Sequence, residues 1–273
     1  MKQISENMKL TIVTLHTIDT KILETIHSVF KTVKTQFEYI LVDNNQNKKQ
    51  LEEIKAKFPQ VRVIQNPTNY GYARGINVGL REAKGDFVLA LNPDILVFEG
   101  TIDKMVGYME KNKDVAVLGP KLLNADNSLQ YSCRRYPKAR TLFWRRGPFK
   151  RKNNAAIQNY EMHDFDHNEI CKVDWLCGGF LLIRKDIFQK IGYMDEFYFL
   201  YFDDVDFCRR AHTVGKVLYF PEVKATHSAS YESKRKLVPF MIHARSMVYY
   251  FLKFLFFPNH SLVKGKGWGN SNQ

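Results

Sequence analysis

The chain has 273 residues, 45% of them hydrophobic and 25% charged, which is ordinary for a folded protein large enough to bury a full core. Lys and Arg number 41 against 28 Asp and Glu, a formal net charge of +13, so an anionic partner is expected: a nucleotide, a phospholipid surface or a nucleic acid. The opening MKQISENMKL has no apolar stretch of signal-peptide length, and nowhere do about 18 uncharged apolar residues run together as a spanning helix requires, so the expected location is cytoplasmic.

Residues 10–15 form a short β-rich run, followed by a helical pattern that puts Ile22, Ile26, Val29, Phe30 and Val33 on one face. A second strand over 39–42 ends in the turn cluster Asp43, Asn44, Asn45. A short helix around Leu51, Ile54 and Phe58 leads to a third strand over 61–64. The loop Asn66, Pro67, Thr68, Asn69 then opens a helix over 71–83, with Gly85 as its expected C-cap, and a fourth strand spans 86–91. Ile102, Met105, Val106 and Met109 mark another helix, and 115–118 another strand. Residues 134–154 change character, with nine Lys and Arg set among Tyr136, Phe143, Trp144 and Phe149, and read as an inserted, mobile, basic loop. Strand-like sequence returns at 173–183, broken by Gly178-Gly179. A helix over 203–212, a strand over 217–220 and a helical tail over 237–257 follow. On the tail Met241, Ala244, Val248, Phe251, Leu252 and Leu255 share one side, with His243, Ser246 and Lys253 opposite.

This alternation predicts an α/β fold with a mostly parallel sheet covered on both faces, whose ligands lie beyond the carboxyl ends of the strands. Three such ends finish in polar residues: Thr14 and His16, Asp43 and Asn44, Asn92 and Asp94. There is no Walker phosphate loop, and the spacing of Gly71, Gly75 and Gly79 is not the dinucleotide fingerprint; those glycines fit close helix packing instead. The cysteines Cys133, Cys171, Cys177 and Cys208 have neither zinc-site spacing nor disulfide density, and are expected reduced and mostly buried.

Asp94 ends a core strand, where an Asp often caps a turn, but it can also share a divalent cation with a diphosphate. Asp203, Asp204 and Asp206 gather at a helix start, where one carboxylate serves as a cap and a further one is available as a general base. His227 follows a strand and a proline-bounded turn. His163, Asp164, Asp166, His167 and Glu169 resemble a metal cluster by composition, but they lie in a polar linker without helical or strand spacing and read as a solvated loop.

In order, the segments TIVTLHT, ILVDNN, NYGYARGINVGL, GDFVLALNPDILV, WLCGGFLLIRKDIF, GYMDEFYFLYFDDVDFCRRAHTVG and YFPEVKATHSASYES resemble a family 2 glycosyltransferase of the GT-A fold, closest to bacterial rhamnosyltransferases of surface polysaccharide assembly, over about residues 9–233. The resemblance implies a Rossmann-like central sheet with an amphipathic helical tail. It divides the chain into a glycosyltransferase domain over 1–233 (a nucleotide-sugar half at 9–120, a catalytic half at 121–233) and a basic tail at 234–273. It assigns Thr14, Leu15, His16 and Asp43 to the nucleotide base, and Asn69, Gly71, Arg74 and Asn77 to the nucleoside side. Asn92 and Asp94 take the place of the family's Asp-x-Asp motif, with Asn92 where the first Asp usually stands. Asp94 and His227 would hold a divalent cation, Mg2+ or Mn2+. Trp175, Gly178 and Gly179 would approach donor and acceptor, with Asp204 as catalytic base and Asp203 positioning the acceptor.

The expected donor is a nucleoside diphosphate sugar, first dTDP-rhamnose, with a UDP-hexose or UDP-galactofuranose behind it. The expected acceptor is a saccharide or a lipid-diphosphate-linked saccharide. The basic loop and the tail fit either a solvated surface or an anionic membrane surface, so peripheral attachment to the inner face of the membrane is expected. A nucleic-acid-binding protein would suit the charge, but the chain lacks such a motif and the acidic cluster would go unused. A nucleotidyltransferase is the nearer rival.

Overall fold

The computed structural model describes residues 8–17, 21–45, 47–141, 154–228 and 237–256. Four strands, β1 (Leu10–His16), β2 (Phe37–Asp43), β3 (Val61–Gln65) and β4 (Phe87–Leu91), run parallel in the order β3-β2-β1-β4. The helices α1 (Ile22–Thr32), α2 (Lys48–Lys57) and α3 (Tyr72–Glu82) connect them. The sheet then continues through the antiparallel β11 (Phe180–Arg184) to β6 (Val115–Leu123), β12 (Lys216–His227) and the edge strand β5 (Ile95–Val97). Helix α4 (Thr101–Lys111) links β5 to β6.

Side chains alternate between two cores. Val13, Leu15, Val88 and Ala90 face α3, α6 (Ile187–Ile191) and α7 (Asp203–Ala211). Leu10, Ile12, Leu89 and Leu91 face α1, α2 and α4. Burial on both faces is why these strands read as continuous apolar runs. Helix α3 lies close on the sheet because Gly79 has no side chain: a Cβ there would stand 2.3 Å from Val13 Cγ1.

Several expectations change. The boundary placed between 120 and 121 falls inside β6, and β11 lies between β4 and β6, so one sheet carries both halves. The run at 173–183 is broken at Gly178-Gly179 as expected, into β10 (Trp175–Leu176) and β11, and β10 leaves the main sheet to pair with β8 (Cys133–Arg134). Gly85 does not cap a helix through a left-handed turn. It permits close approach, since a Cβ there would lie 2.6 Å from the Thr11 nitrogen. The strand expected over 217–220 extends to His227, past a register shift between Phe220 and Lys224, because β5 pairs with its far end.

The basic loop lies partly outside the described residues, but its start is built in. Arg134 belongs to β8, and its guanidinium sits 5.5 Å from the Tyr160 ring and 5.4 Å from the Trp175 ring. After it come α5 (Ala155–Tyr160) and the short β9 (Cys171–Lys172) on β12. The four cysteines are free, Cys133 and Cys208 buried and Cys171 and Cys177 half-buried.

The tail forms α8 (Leu237–Phe256) and packs by the face expected to be the polar one. His243, Ser246 and Lys253 are buried with Tyr250 and Phe254, while Met241 is 62% and Leu255 71% exposed. No helix among the described residues is long and apolar enough to cross a membrane.

Candidate active site

The carboxyl ends of β1, β2, β4 and β12 and the start of β11 meet at one edge of the sheet, because β11 alone of these runs antiparallel. Pairing of β5 with β12 sets Ile95 opposite His227, and the Ser228 amide donates to the Asp94 carbonyl at 3.0 Å. Asp94, one residue before β5, therefore meets His227: Nε2 lies 3.3 Å from Oδ1. That oxygen is buried and accepts no hydrogen bond. Sequence spacing alone could not bring these two residues together, since they are joined through an edge strand of only three residues.

The Gly178-Gly179 turn is the hub of the edge. The Gly178 amide donates to Asp204 Oδ2 at 2.9 Å, and the Tyr72 hydroxyl donates to the Gly178 carbonyl at 3.0 Å. The Asn92 amide donates to the Gly179 carbonyl at 2.8 Å. A Cβ on Gly179 would come within 3.3 Å of His227 Cε1 and 3.4 Å of Asn92 Nδ2, and one on Gly178 within 3.3 Å of Asp204 Cβ. Lack of side chains here lets the start of α7, the β4 end and the β12 end converge.

Asp203 and Asp204 open α7 behind two consecutive left-handed residues, Tyr201 (φ 68°) and Phe202 (φ 67°). Such backbone is costly for aromatic residues and persists where the surroundings over-determine it. Burial raises the Asp204 carboxyl above the usual range, while the hydrogen bonds from Gly178 and Val205 pull it back down. Burial, reinforced by the Asp204 charge, raises Asp203 well above the usual value. The Tyr72 phenol is likewise raised, first by burial and then by Asp203, Asp204 and Asp94, so it remains a donor. A carboxylate of raised pKa beside an open polar edge can take a proton from a hydroxyl.

On the β1–β2 side, His16 Nδ1 lies 3.0 Å from Asp43 Oδ1, both side chains 1% exposed, and Asp43 Oδ2 is buried with no partner. Asn44 donates to Asn69 Oδ1 and to the Gly71 carbonyl, and accepts from Asn66, which ties the loop after β2 to the loop between β3 and α3. Gly71 begins α3 in the left-handed region (φ 76°), and a Cβ there would strike the Phe199 carbonyl at 2.4 Å. Arg74 is exposed and stacks 4.0 Å from the Tyr70 ring centroid.

Four expected site residues are committed elsewhere. The Thr14 hydroxyl is buried on Tyr39 at 2.7 Å, and Leu15 packs in the core beneath α3. Asn77 is buried and clamps α3 to the Met194–Glu196 loop: its amide donates to the Met194 carbonyl and to Glu196, and its oxygen accepts from the Met194 amide. Trp175 is 4% exposed, its indole donates to the Arg135 carbonyl at 2.9 Å, and it supports the hub from behind.

The remaining acidic residue of α7, Asp206, faces away from the site, between Arg210 Nε at 2.7 Å and Lys253 Nζ at 2.5 Å. Of the cluster at 163–169, His167 is buried against the Cys133 thiol, the Met162 carbonyl and the Tyr219 ring, so it is a core residue rather than part of a solvated loop. Among the described residues no three His, Cys, Asp or Glu side chains gather as a metal centre. Tyr72 was missed by sequence reasoning, although it follows Gly71 in the turn that opens α3, the signal that could have marked it; Asn44 was legible as part of the polar end of β2.

A model of the family described as "Glycosyl transferase family 2" matches residues 12–192. The chain is 26% identical over 233 residues to an N-acetylglucosaminyl-diphospho-decaprenol L-rhamnosyltransferase of Mycobacterium tuberculosis, covering 78% of this chain and 73% of that one. It is 24% identical over 204 residues to the rhamnosyltransferase WbbL of Escherichia coli, covering 71% and 74%. Among solved structures, GalNAc-T7 with UDP, GalNAc and Mn2+ superposes with a TM-score of 0.61 at 17% identity, over 83% of this chain and 45% of that one. TarS 1–349 of S. aureus with UDP gives 0.54 at 19%, over 88% and 65%. The chain thus spans less than two thirds of either solved protein, and the likeness shows the fold, which is of the GT-A type.

Proposed function

Because the chain belongs to glycosyl transferase family 2, we propose that this glycosyltransferase is inverting and moves a sugar, first of all L-rhamnose from dTDP-rhamnose, to a saccharide or lipid-diphosphate-linked acceptor in cell-surface polysaccharide synthesis. The observation that carries it is the hub: one glycine pair touches Asp204 on one side and Asn92 and His227 on the other. A base and a diphosphate cradle are therefore a single turn apart.

In this reading Asp204 takes the proton of an acceptor hydroxyl as that oxygen forms its bond to the anomeric carbon. The bond from that carbon to the diphosphate oxygen breaks on the opposite face, so configuration inverts. One carboxylate suffices, since the leaving group needs no acid; this separates the site from the two-carboxylate glycosidases. Asp203 lies beside the base to orient the acceptor. Asp43 Oδ2, a buried acceptor without a donor, suits the N3–H of a uracil or thymine ring.

Asp94 and His227 fit a divalent cation: a buried carboxylate oxygen without a hydrogen bond faces an imidazole nitrogen, and a diphosphate can supply the other oxygens. Mg2+ or Mn2+ bound there would offset the charge of the departing diphosphate.

A second observation favours the inner membrane surface as the place of work. Helix α8 turns Val238, Met241, Val248, Leu252 and Leu255 outward, has no acidic residue, and is preceded in sequence by Lys234, Arg235 and Lys236. An apolar face flanked by cations suits an anionic bilayer, at about 1 kcal/mol per basic residue near the surface.

Screening dTDP- and UDP-sugars by saturation-transfer NMR and donor hydrolysis tests the donor. Signal from dTDP-rhamnose above UDP-sugars is expected; a UDP-sugar turned over faster would replace rhamnose. No response to any nucleotide sugar, with pyrophosphate released from a nucleoside triphosphate instead, would move the chain to the nucleotidyltransferases.

A further inference from the structure

We infer that Gln130 is the positioning residue that sets the His227 ring for a cation, through a directed chain of hydrogen bonds that starts at a surface carboxylate. The inference rests on the cation reading of Asp94 and His227.

An imidazole holds a metal through one nitrogen only when the other carries the proton, and which one does so is decided by its hydrogen-bond partner. His227 Nδ1 lies 2.8 Å from Gln130 Oε1. An amide can face either way, so the direction must be fixed from further out. The β6–β7 hairpin, with β7 at Leu129–Gln130, does this. The Asp126 carboxylate only accepts, so the Ser128 hydroxyl donates to it at 2.5 Å. The Ser128 oxygen is left to accept from Asn124 Nδ2 at 2.8 Å, and the same nitrogen reaches the Leu129 carbonyl, another pure acceptor, at 3.4 Å. Asn124 Oδ1 must then accept, and Gln130 Nε2 donates to it at 3.2 Å. Gln130 Oε1 is thereby turned to His227, and the ring proton stays on Nδ1.

The consequence appears at Asp94. His227 Nε2, left with its lone pair, faces Asp94 Oδ1 at 3.3 Å, and no hydrogen bond forms between them. Two acceptors so placed repel each other unless a cation lies against both. Were the proton on Nε2, the ring would instead close on Asp94 and block the site. The hairpin reaches His227 because β6 pairs with β7 on one edge and with β12 on the other, so Leu122 has Gln130 as one neighbour and Ala225 as the other. Asn92 gives no carboxylate to this site, which makes the readiness of the histidine more important than in a site with two aspartates.

The test compares wild type with Gln130→Met, which keeps the shape and removes the acceptor, Gln130→Glu, which keeps an acceptor, and Asn124→Ala, which frees the Gln130 amide to turn. Two readouts are used: the His227 tautomer by 15N NMR of metal-free protein, and Mn2+ binding by electron paramagnetic resonance, with Mn2+ alone and with Mn2+ plus UDP. Wild type should hold the proton on Nδ1. Gln130→Met should mix the tautomers and weaken Mn2+ by roughly 10- to 100-fold. Gln130→Glu should keep both properties, and Asn124→Ala should fall between. A wild-type proton on Nε2, or unchanged tautomer and Mn2+ affinity in a folded Gln130→Met protein, overturns the inference. Absence of Mn2+ binding in wild type with the ring set on Nδ1 overturns the cation reading alone, because the tautomer is measured without metal.

Discussion

Two adjacent carboxylates, Asp203 and Asp204, are raised by the same burial but held differently, and this separates their expected behaviour. Asp204 has two backbone donors on its oxygens, so it can hold the anion a base requires. Asp204→Asn should lower kcat by about 10²- to 10⁴-fold while donor binding by calorimetry stays unchanged. The acid limb of the wild-type kcat/KM profile should lie above the ordinary aspartate value; a limb at that value would contradict the raised base. Asp203 affects stability. The folded chain binds its proton more tightly than the unfolded chain, so its contribution is complete below the unfolded pKa and is lost as pH rises through the folded one. Asp203→Asn removes that loss, and in urea unfolding at pH about 4.5 and about 7.5 its stability relative to wild type should increase with pH.

Among the elements, α7 is held at its back by α8. Lys253 bridges Asp206 and Asp195 at 2.5 and 2.6 Å, with the lysine 7% exposed. Removing one partner from a buried ionic group leaves the others uncompensated, so Lys253→Met should cost about 3 kcal/mol in urea unfolding, the low end because Asp206 keeps Arg210. The helix and its two faces were legible in the sequence from their spacing. Which face packs was not, because Lys253 and Ser246 read as solvent-facing until their partners, Asp195, Asp206 and the Leu200 carbonyl, are known. The same limit applies to the strands. The first four stand out as β-rich runs, whereas β5 is three residues long and exists through its pairing with β12. Asp43, Asp94 and Asp204 were visible because they end strands or begin a helix. Asn77 lies inside α3 between Ile76 and Val78, and only the clamp on Met194 and Glu196 shows what its amide does there.

For the whole molecule, a charge of +13 and an outward apolar helix act together. The intact chain should float with liposomes containing anionic lipid and remain behind with neutral ones. Leu252→Glu with Leu255→Glu should reduce flotation about tenfold or more without altering the circular dichroism, since both side chains face outward. Equal flotation of the double variant would place the attachment elsewhere. The orientation of α8 also bears on how the protein can be handled. Cutting the chain before residue 237 to remove a greasy surface would take away the ammonium group between Asp195 and Asp206. The shortened protein would then be more hydrophilic outside but would hold Asp195 within without its cation and leave Asp206 to Arg210 alone, two residues along α7 from Asp204.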